Sequence, residues 1–81
     1  MEEKKYIYGY LEKNNSGRYA LSEDYYFTSG NRIEILHNNA WTPGRIEFSQ
    51  EHDDYYFLNE DLKIYIYELF GLAARVVNKY V

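Results

Sequence analysis

No stretch of this chain runs far before a turn signal interrupts it, and that spacing constrains the fold more than any other feature. Asn14-Asn15-Ser16-Gly17, Ser29-Gly30-Asn31, His37-Asn38-Asn39, Ser49 to Asp53 and Asn59-Glu60-Asp61 are clusters of turn-forming residues. Glycine supplies positive φ, while asparagine, aspartate and serine also bond their own backbone, so each cluster can reverse the chain. The runs between them are rich in tyrosine, isoleucine, valine and phenylalanine, which suit a pleated, half-buried surface. Arg32-Ile33-Glu34-Ile35-Leu36 alternates charged and apolar positions, so one side is buried and the other wet. The expected fold is mainly β: a small antiparallel SH3-like barrel of about five to seven short strands, with an OB-like barrel as the alternative. Closing a barrel removes the exposed strand edges that invite aggregation.

Individual elements follow from the same signals. Lys5 to Lys13 and Arg18 to Leu21 read as a hairpin about the Asn14–Gly17 turn, and Asp24 to Thr28 as a further strand. Arg32 to Leu36 leads to a tight reversal at His37-Asn38-Asn39. Trp41 opens the next strand, which Gly44 to Phe48 continues. Proline cannot donate to a ladder, so Pro43 marks a strand start, an edge or a bulge. Asp54 to Leu58 is another strand. Leu62 to Phe70 carries both helical and alternating spacing; its isoleucines and tyrosines favour a strand over Lys63 to Tyr67, then a short helical turn at Glu68 to Phe70 before the last strand, Ala73 to Val77. Residues 1–81 read as a single domain, with 78–81 as a tail prone to fray.

The tetrapeptide Asp24-Tyr25-Tyr26-Phe27 returns thirty residues later as Asp54-Tyr55-Tyr56-Phe57. Around it, Gly9-Tyr10-Leu11-Glu12 is echoed by Gly44-Arg45-Ile46-Glu47, and Ile33-x-Ile35 by Ile64-x-Ile66. These echoes are open to two readings, an internal duplication or a shared grammar of alternation and turns. In either case successive strand residues face opposite ways, so one tyrosine of each pair points inward and its neighbour outward.

Composition narrows the function. The 81 residues include 11 tyrosines, 4 phenylalanines and 1 tryptophan but no cysteine, which removes disulfides and thiolate metal sites. Nine basic residues stand against thirteen acidic ones, a formal charge of −4. Nucleic-acid binding draws its affinity from phosphate neutralisation, so that role is disfavoured. The opening Met1-Glu2-Glu3-Lys4-Lys5 lacks the apolar stretch of a signal peptide, and no run is long enough for a membrane helix. The expectation is a cytoplasmic protein with no membrane partner.

The segments Trp41-Thr42-Pro43-Gly44-Arg45-Ile46-Glu47, Asp54-Tyr55-Tyr56-Phe57 and Gly71-Leu72-Ala73-Ala74-Arg75-Val76 carry a resemblance to a known group. From Gly9 to about Val77 the chain resembles a family of small uncharacterised proteins of Firmicutes and of their phages and mobile elements. The resemblance implies a bacterial or phage-borne accessory protein in the cytoplasm. It brings no assigned activity and no catalytic residues.

Signals for catalysis are poor. His37 and His52, the two histidines, lie in polar turns, no serine sits in a nucleophile elbow, and the five glycines are scattered. Glu34 and Glu47 are expected to pair across strands with Arg32 or Arg45. Glu51-His52-Asp53-Asp54 reads as a solvated acidic loop without calcium-loop spacing. No cofactor or metal is expected, and the chain reads as a non-enzymatic protein. Tryptophan, tyrosine and arginine are the residues most enriched at binding hot spots. The candidate binding residues are therefore Trp41, Arg45, Tyr26, Tyr56 and Arg32: Trp41 as anchor, Arg45 to pair with an acidic group of the partner, and Tyr26 and Tyr56 for area. The expected partner is a protein, with a second copy of the chain (a homodimer) among the candidates. The alternative is a protein that sequesters a small molecule or nucleotide, stacking a base on tyrosine with Arg32, Arg45 or Arg75 on phosphate.

Overall fold

Turn chemistry sets the frame. Between His37 and Ala40 the chain reverses over two residues, and Asn38 and Asn39 both take positive φ, 50° and 64°. A two-residue type I′ hairpin demands that sign at both positions, and asparagine tolerates it. Two longer reversals share one geometry. Between Ser49 and Asp54, Ser49 Oγ accepts the His52 N–H at 3.2 Å, and Asp53 takes φ 52°. Between Asn59 and Ile64, Asn59 Oδ1 accepts the Leu62 N–H at 2.9 Å, and Lys63 takes φ 55°.

The structure is a computed structural model that describes residues 5–22 and 25–78. Its strands are β1 (Tyr6–Tyr10), β2 (Glu12–Lys13), β3 (Tyr19–Ser22), β4 (Tyr25–Tyr26), β5 (Arg32–His37), β6 (Ala40–Ser49), β7 (Asp54–Asn59), β8 (Ile64–Ile66) and β9 (Ala73–Val77). Every pairing is antiparallel. Six strands form one sheet in the order β1-β9-β5-β6-β7-β8, and three form a second in the order β2-β3-β4. Among the described residues there is no helix, hence none long and apolar enough to cross a membrane.

The chain thus is mainly β, as expected, but it is not a closed barrel. β8 ends the larger sheet with only three residues between two turns, too few ladder bonds to reach back and seal it. The predicted long first strand also breaks at Leu11. Its N–H donates to Leu72 O at 2.9 Å and its carbonyl accepts from Gly71 at 2.8 Å, so β1 stays with β9 while β2 departs to pair with β3. The predicted helical turn at Glu68 to Phe70 is a β-turn instead: Leu72 N–H donates to Leu69 O at 3.1 Å, and Gly71 has φ 83°. Positive φ at the third position suits a type II turn and ends a helix. Asn78 donates to Lys5 O at 2.8 Å; the rest of the expected fraying tail, 79–81, and Asp24 of the expected strand lie outside the described residues.

Pro43 lies within β6, paired with Glu34 of β5. The hairpin at His37 and Ala40 sets the alternation: residues 42 and 44 turn their main-chain groups to β5, and residue 43 turns away. On that side β7 begins pairing only at Arg45, so the missing N–H disrupts no ladder, and the Pro43 carbonyl accepts from Asn59 Nδ2 at 2.8 Å. The proline therefore occupies a local edge inside a long strand.

The core lies between the sheets. Ile33, Ile35, Ile46, Phe57, Ala74 and Val76 line one face of the larger sheet; Tyr19, Phe27, Leu11 and Leu69 close over them. Lys13 links the sheets, with Nζ 3.0 Å from Asp54 Oδ1 and 5.4 Å from the centroid of the Tyr19 ring. The Asp54 hydrogen bond raises the Lys13 pKa, and burial raises that of Tyr19. Both groups hold their protons more tightly folded than unfolded. Their contribution is complete below about pH 10, where the unfolded groups begin to titrate, and is lost as pH rises through the raised folded values. Urea midpoints are accordingly expected to hold level from pH 7 to about pH 9 and to fall above about pH 10; a midpoint that rises there contradicts both assignments.

Candidate functional site

Alternation sends a second set of side chains to the opposite face of the larger sheet. β1 contributes Tyr6, Tyr8 and Tyr10; β9 Arg75 and Val77; β5 Arg32, Glu34 and Leu36; β6 Trp41, Pro43, Arg45 and Glu47; β7 Tyr56. Register places Tyr8, Arg75, Glu34 and Pro43 in one row across four strands.

Arg75 organises the aromatic part. Its guanidinium carbon lies 4.0 Å from the Tyr6 ring centroid, 4.5 Å from Trp41 and 6.0 Å from Tyr8. Glu34 Oε1 fixes it from the side, 2.9 Å from Nε and 2.8 Å from Nη2. Burial opposes its charge, yet Glu34 and the Tyr8 hydroxyl outweigh that and leave the pKa raised. Trp41 meets Tyr8 edge-on with centroids 5.7 Å apart, and Tyr6 meets Tyr8 at 5.9 Å. Tyr8 and Tyr10 nonetheless stay 59% and 70% exposed, and Leu36 is exposed beside them.

Along β6, Arg45 Nε bonds Glu47 Oε2 at 2.8 Å, and its Nη2 bonds Glu60. Those two carboxylates hold the Arg45 pKa up. Tyr56 stacks on Tyr67 at 5.0 Å and 13°, and His52 covers the far side of Tyr67 at 4.4 Å. His52 Nδ1 also contacts Ser49 Oγ at 3.0 Å.

The five predicted residues therefore do not form one site. Trp41, Arg45, Arg32 and Tyr56 share a sheet face, but Trp41 belongs to the Arg75 cluster and Tyr56 to the His52–Tyr67 column. Tyr26 lies on the smaller sheet, 52% exposed, with Arg18 6.0 Å from its ring; it and Arg32 both line one cleft. Glu47 does pair with Arg45, though along the same strand, and Glu34 pairs with Arg75 rather than with Arg32 or Arg45. Arg32 has no acidic partner among the described residues. Sequence reasoning missed Tyr6, Tyr8 and Tyr10, whose Tyr-x-Tyr-x-Tyr alternation was the available signal. Among the described residues no group of three or more histidines, cysteines or carboxylates is placed to hold a metal ion.

Residues 9–76 match a family described as a domain of unknown function, DUF5348. Comparison with curated proteins gives no match, and comparison with solved structures gives none.

Proposed function

We propose that this chain, which belongs to the DUF5348 family of domains of unknown function, is a non-enzymatic binding module that engages a protein through the aromatic and arginine face of its larger sheet. One observation carries the reading: Tyr6, Tyr8 and Trp41 gather round Arg75 on a face whose reverse side already supplies the core. Stability does not require so many rings on the wet side, and a contiguous exposed aromatic patch marks an interaction surface. Trp41 anchors the contact. Arg45 is already bound to Glu47 and Glu60, so the acidic group of the partner falls to Arg32. In the setting that the sequence resemblance implies, a Firmicutes cytoplasm or a phage or mobile element within it, the partner is a host factor whose activity the module modulates.

Native mass spectrometry of the chain purified from its own cells tests this. A stoichiometric protein partner is expected with the wild type and is lost with Trp41→Ala. Trp41 is half-buried and outside the core, so its truncation costs about 1 kcal/mol of packing and cation–π contact, a melting point lower by roughly 4–8 °C. An ultraviolet-absorbing small molecule in place of a protein favours the sequestering alternative. Unfolding of Trp41→Ala means that the ring supports the fold rather than a contact.

A further inference from the structure

The ladder between β5 and β9 stops early. Glu34↔Arg75 and Ile35↔Ala74 pair, but the register does not continue to Ile33↔Val76 and Arg32↔Val77. Each strand keeps its other neighbour over that stretch, β9 with β1 as far as Val77 and β5 with β6 as far as Arg32. The two strands splay and leave between them a cleft of about 760 Å³. Its floor is the buried pair Ile33 and Val76, and Tyr25 and Tyr26 line it from the smaller sheet.

Main-chain groups point into this cleft. Alternate residues of an antiparallel strand turn their N–H and C=O to the same side. The hairpin pair His37 and Ala40 sets residues 37, 35 and 33 toward β6, and so 36, 34 and 32 toward β9. The Asn78 bond to Lys5 sets residues 78, 76 and 74 toward β1, and so 77, 75 and 73 toward β5. Arg32 and Val77 thus present their peptide groups across the opening, where no described strand takes them up.

The cleft lining carries one unneutralised charge, the Arg32 guanidinium, although the chain has a formal charge of −4. Arg32 is exposed and makes no ion pair among the described residues. Arg18, outside the cleft lining, lies 6.0 Å from the centroid of the Tyr26 ring. Glu34, the acidic residue lining the cleft, is already bound to Arg75.

We infer that the cleft takes an extended segment of a protein partner bearing an acidic side chain, its main chain pairing with Arg32 and Val77 and its carboxylate seated on Arg32 beside Tyr26. The inference rests on the reading of the chain as a protein-binding module and names the kind of segment it receives. Strand addition of this sort draws affinity from main-chain bonds and selectivity from the side chains that flank them.

The test is an amide-resolved NMR titration of the full chain with a heptapeptide of alternating threonine and valine that carries a central glutamate. The amides of Arg32, Ile33, Val76 and Val77 should shift, and those of Arg32 and Val77 should exchange more slowly. Replacing the central glutamate by glutamine should weaken binding about tenfold, the scale of one exposed charge-assisted hydrogen bond. Arg32→Gln should abolish that difference without moving the melting point, because the Arg32 side chain makes no ion pair with another described residue. Shifts confined to Tyr6, Tyr8 and Trp41 would overturn the cleft inference and leave the aromatic-face reading intact. Stronger shifts of the cleft amides with ATP than with peptide would overturn it in favour of a nucleotide, and cleft amides silent to both probes would end it. Loss of the partner with Trp41→Ala in native mass spectrometry, by contrast, bears on the aromatic face alone.

Discussion

Phe57→Ala is expected to cost about 3–5 kcal/mol, the usual range for emptying a phenylalanine site in a core. The ring is fully buried at the centre of β7, between Ile46 and Ile66 by register and against Gly44. A domain of 81 residues commands roughly 4–12 kcal/mol in total, so the loss takes about a quarter of its stability or more. Melting should fall by roughly 12–40 °C, with Trp41 fluorescence and far-ultraviolet circular dichroism changing together. The same truncation at Phe27, 1% exposed in the twin tetrapeptide, should rank alongside it. Tyr26→Ala, one residue away and outward, should cost no more than about 0.5 kcal/mol of stability. Equal effects at Tyr26 and Phe27 would mean that the inside–outside split of these segments is wrong.

That split was readable in advance because it needs only alternation. Tyr25 and Tyr55 pack on the core and their phenylalanines are buried, while Tyr26 faces solvent and Tyr56 takes the outer face. The hairpin at Asn38-Asn39 was readable for the same local reason, since positive φ at two consecutive positions is something asparagine allows. What the twin tetrapeptides do globally was not readable. Tyr25 and Tyr26 of one form a two-residue strand of the smaller sheet, while the other lies wholly in a six-residue strand of the larger. Strand order is a matter of long-range partners, and the row that brings Tyr8, Arg75 and Glu34 together joins residues from both ends and the middle of the chain. No local pattern announces that β9 inserts between β1 and β5, so the fate of Glu34 was misassigned and the Arg75 cluster went unseen. The helical turn failed for a simpler cause: Leu62 to Leu69 has helical spacing, but Gly71 in the left-handed region closes a β-turn first.

Gly44→Ala is expected to be the most damaging single-methyl change in the chain. Nothing in its φ calls for glycine; the reason is space. A Cβ there would stand 2.4 Å from Phe57 Cζ and 2.5 Å from the Leu58 carbonyl oxygen, well inside van der Waals contact. The ring cannot retreat, because it fills a closed core, and the carbonyl belongs to the ladder that Arg45 and Leu58 begin. The strands must therefore part or the ring must leave its rotamer, and overpacking of that kind costs about 3 kcal/mol, a melting point lower by roughly 12–24 °C. Gly9→Ala makes a calibrated contrast: its Cβ would approach the Leu21 carbonyl at 3.0 Å, which a small shift of β3 relieves, so a loss of about 1 kcal/mol is expected. A Gly44→Ala midpoint within about 2 °C of wild type would mean that β6 and β7 are packed less closely than described. Adding Phe57→Leu separates the two contacts. If the ring is the main obstacle, the alanine costs less in that background, a coupling of about 1 kcal/mol or more between the sites; if the Leu58 carbonyl is, the two losses simply add.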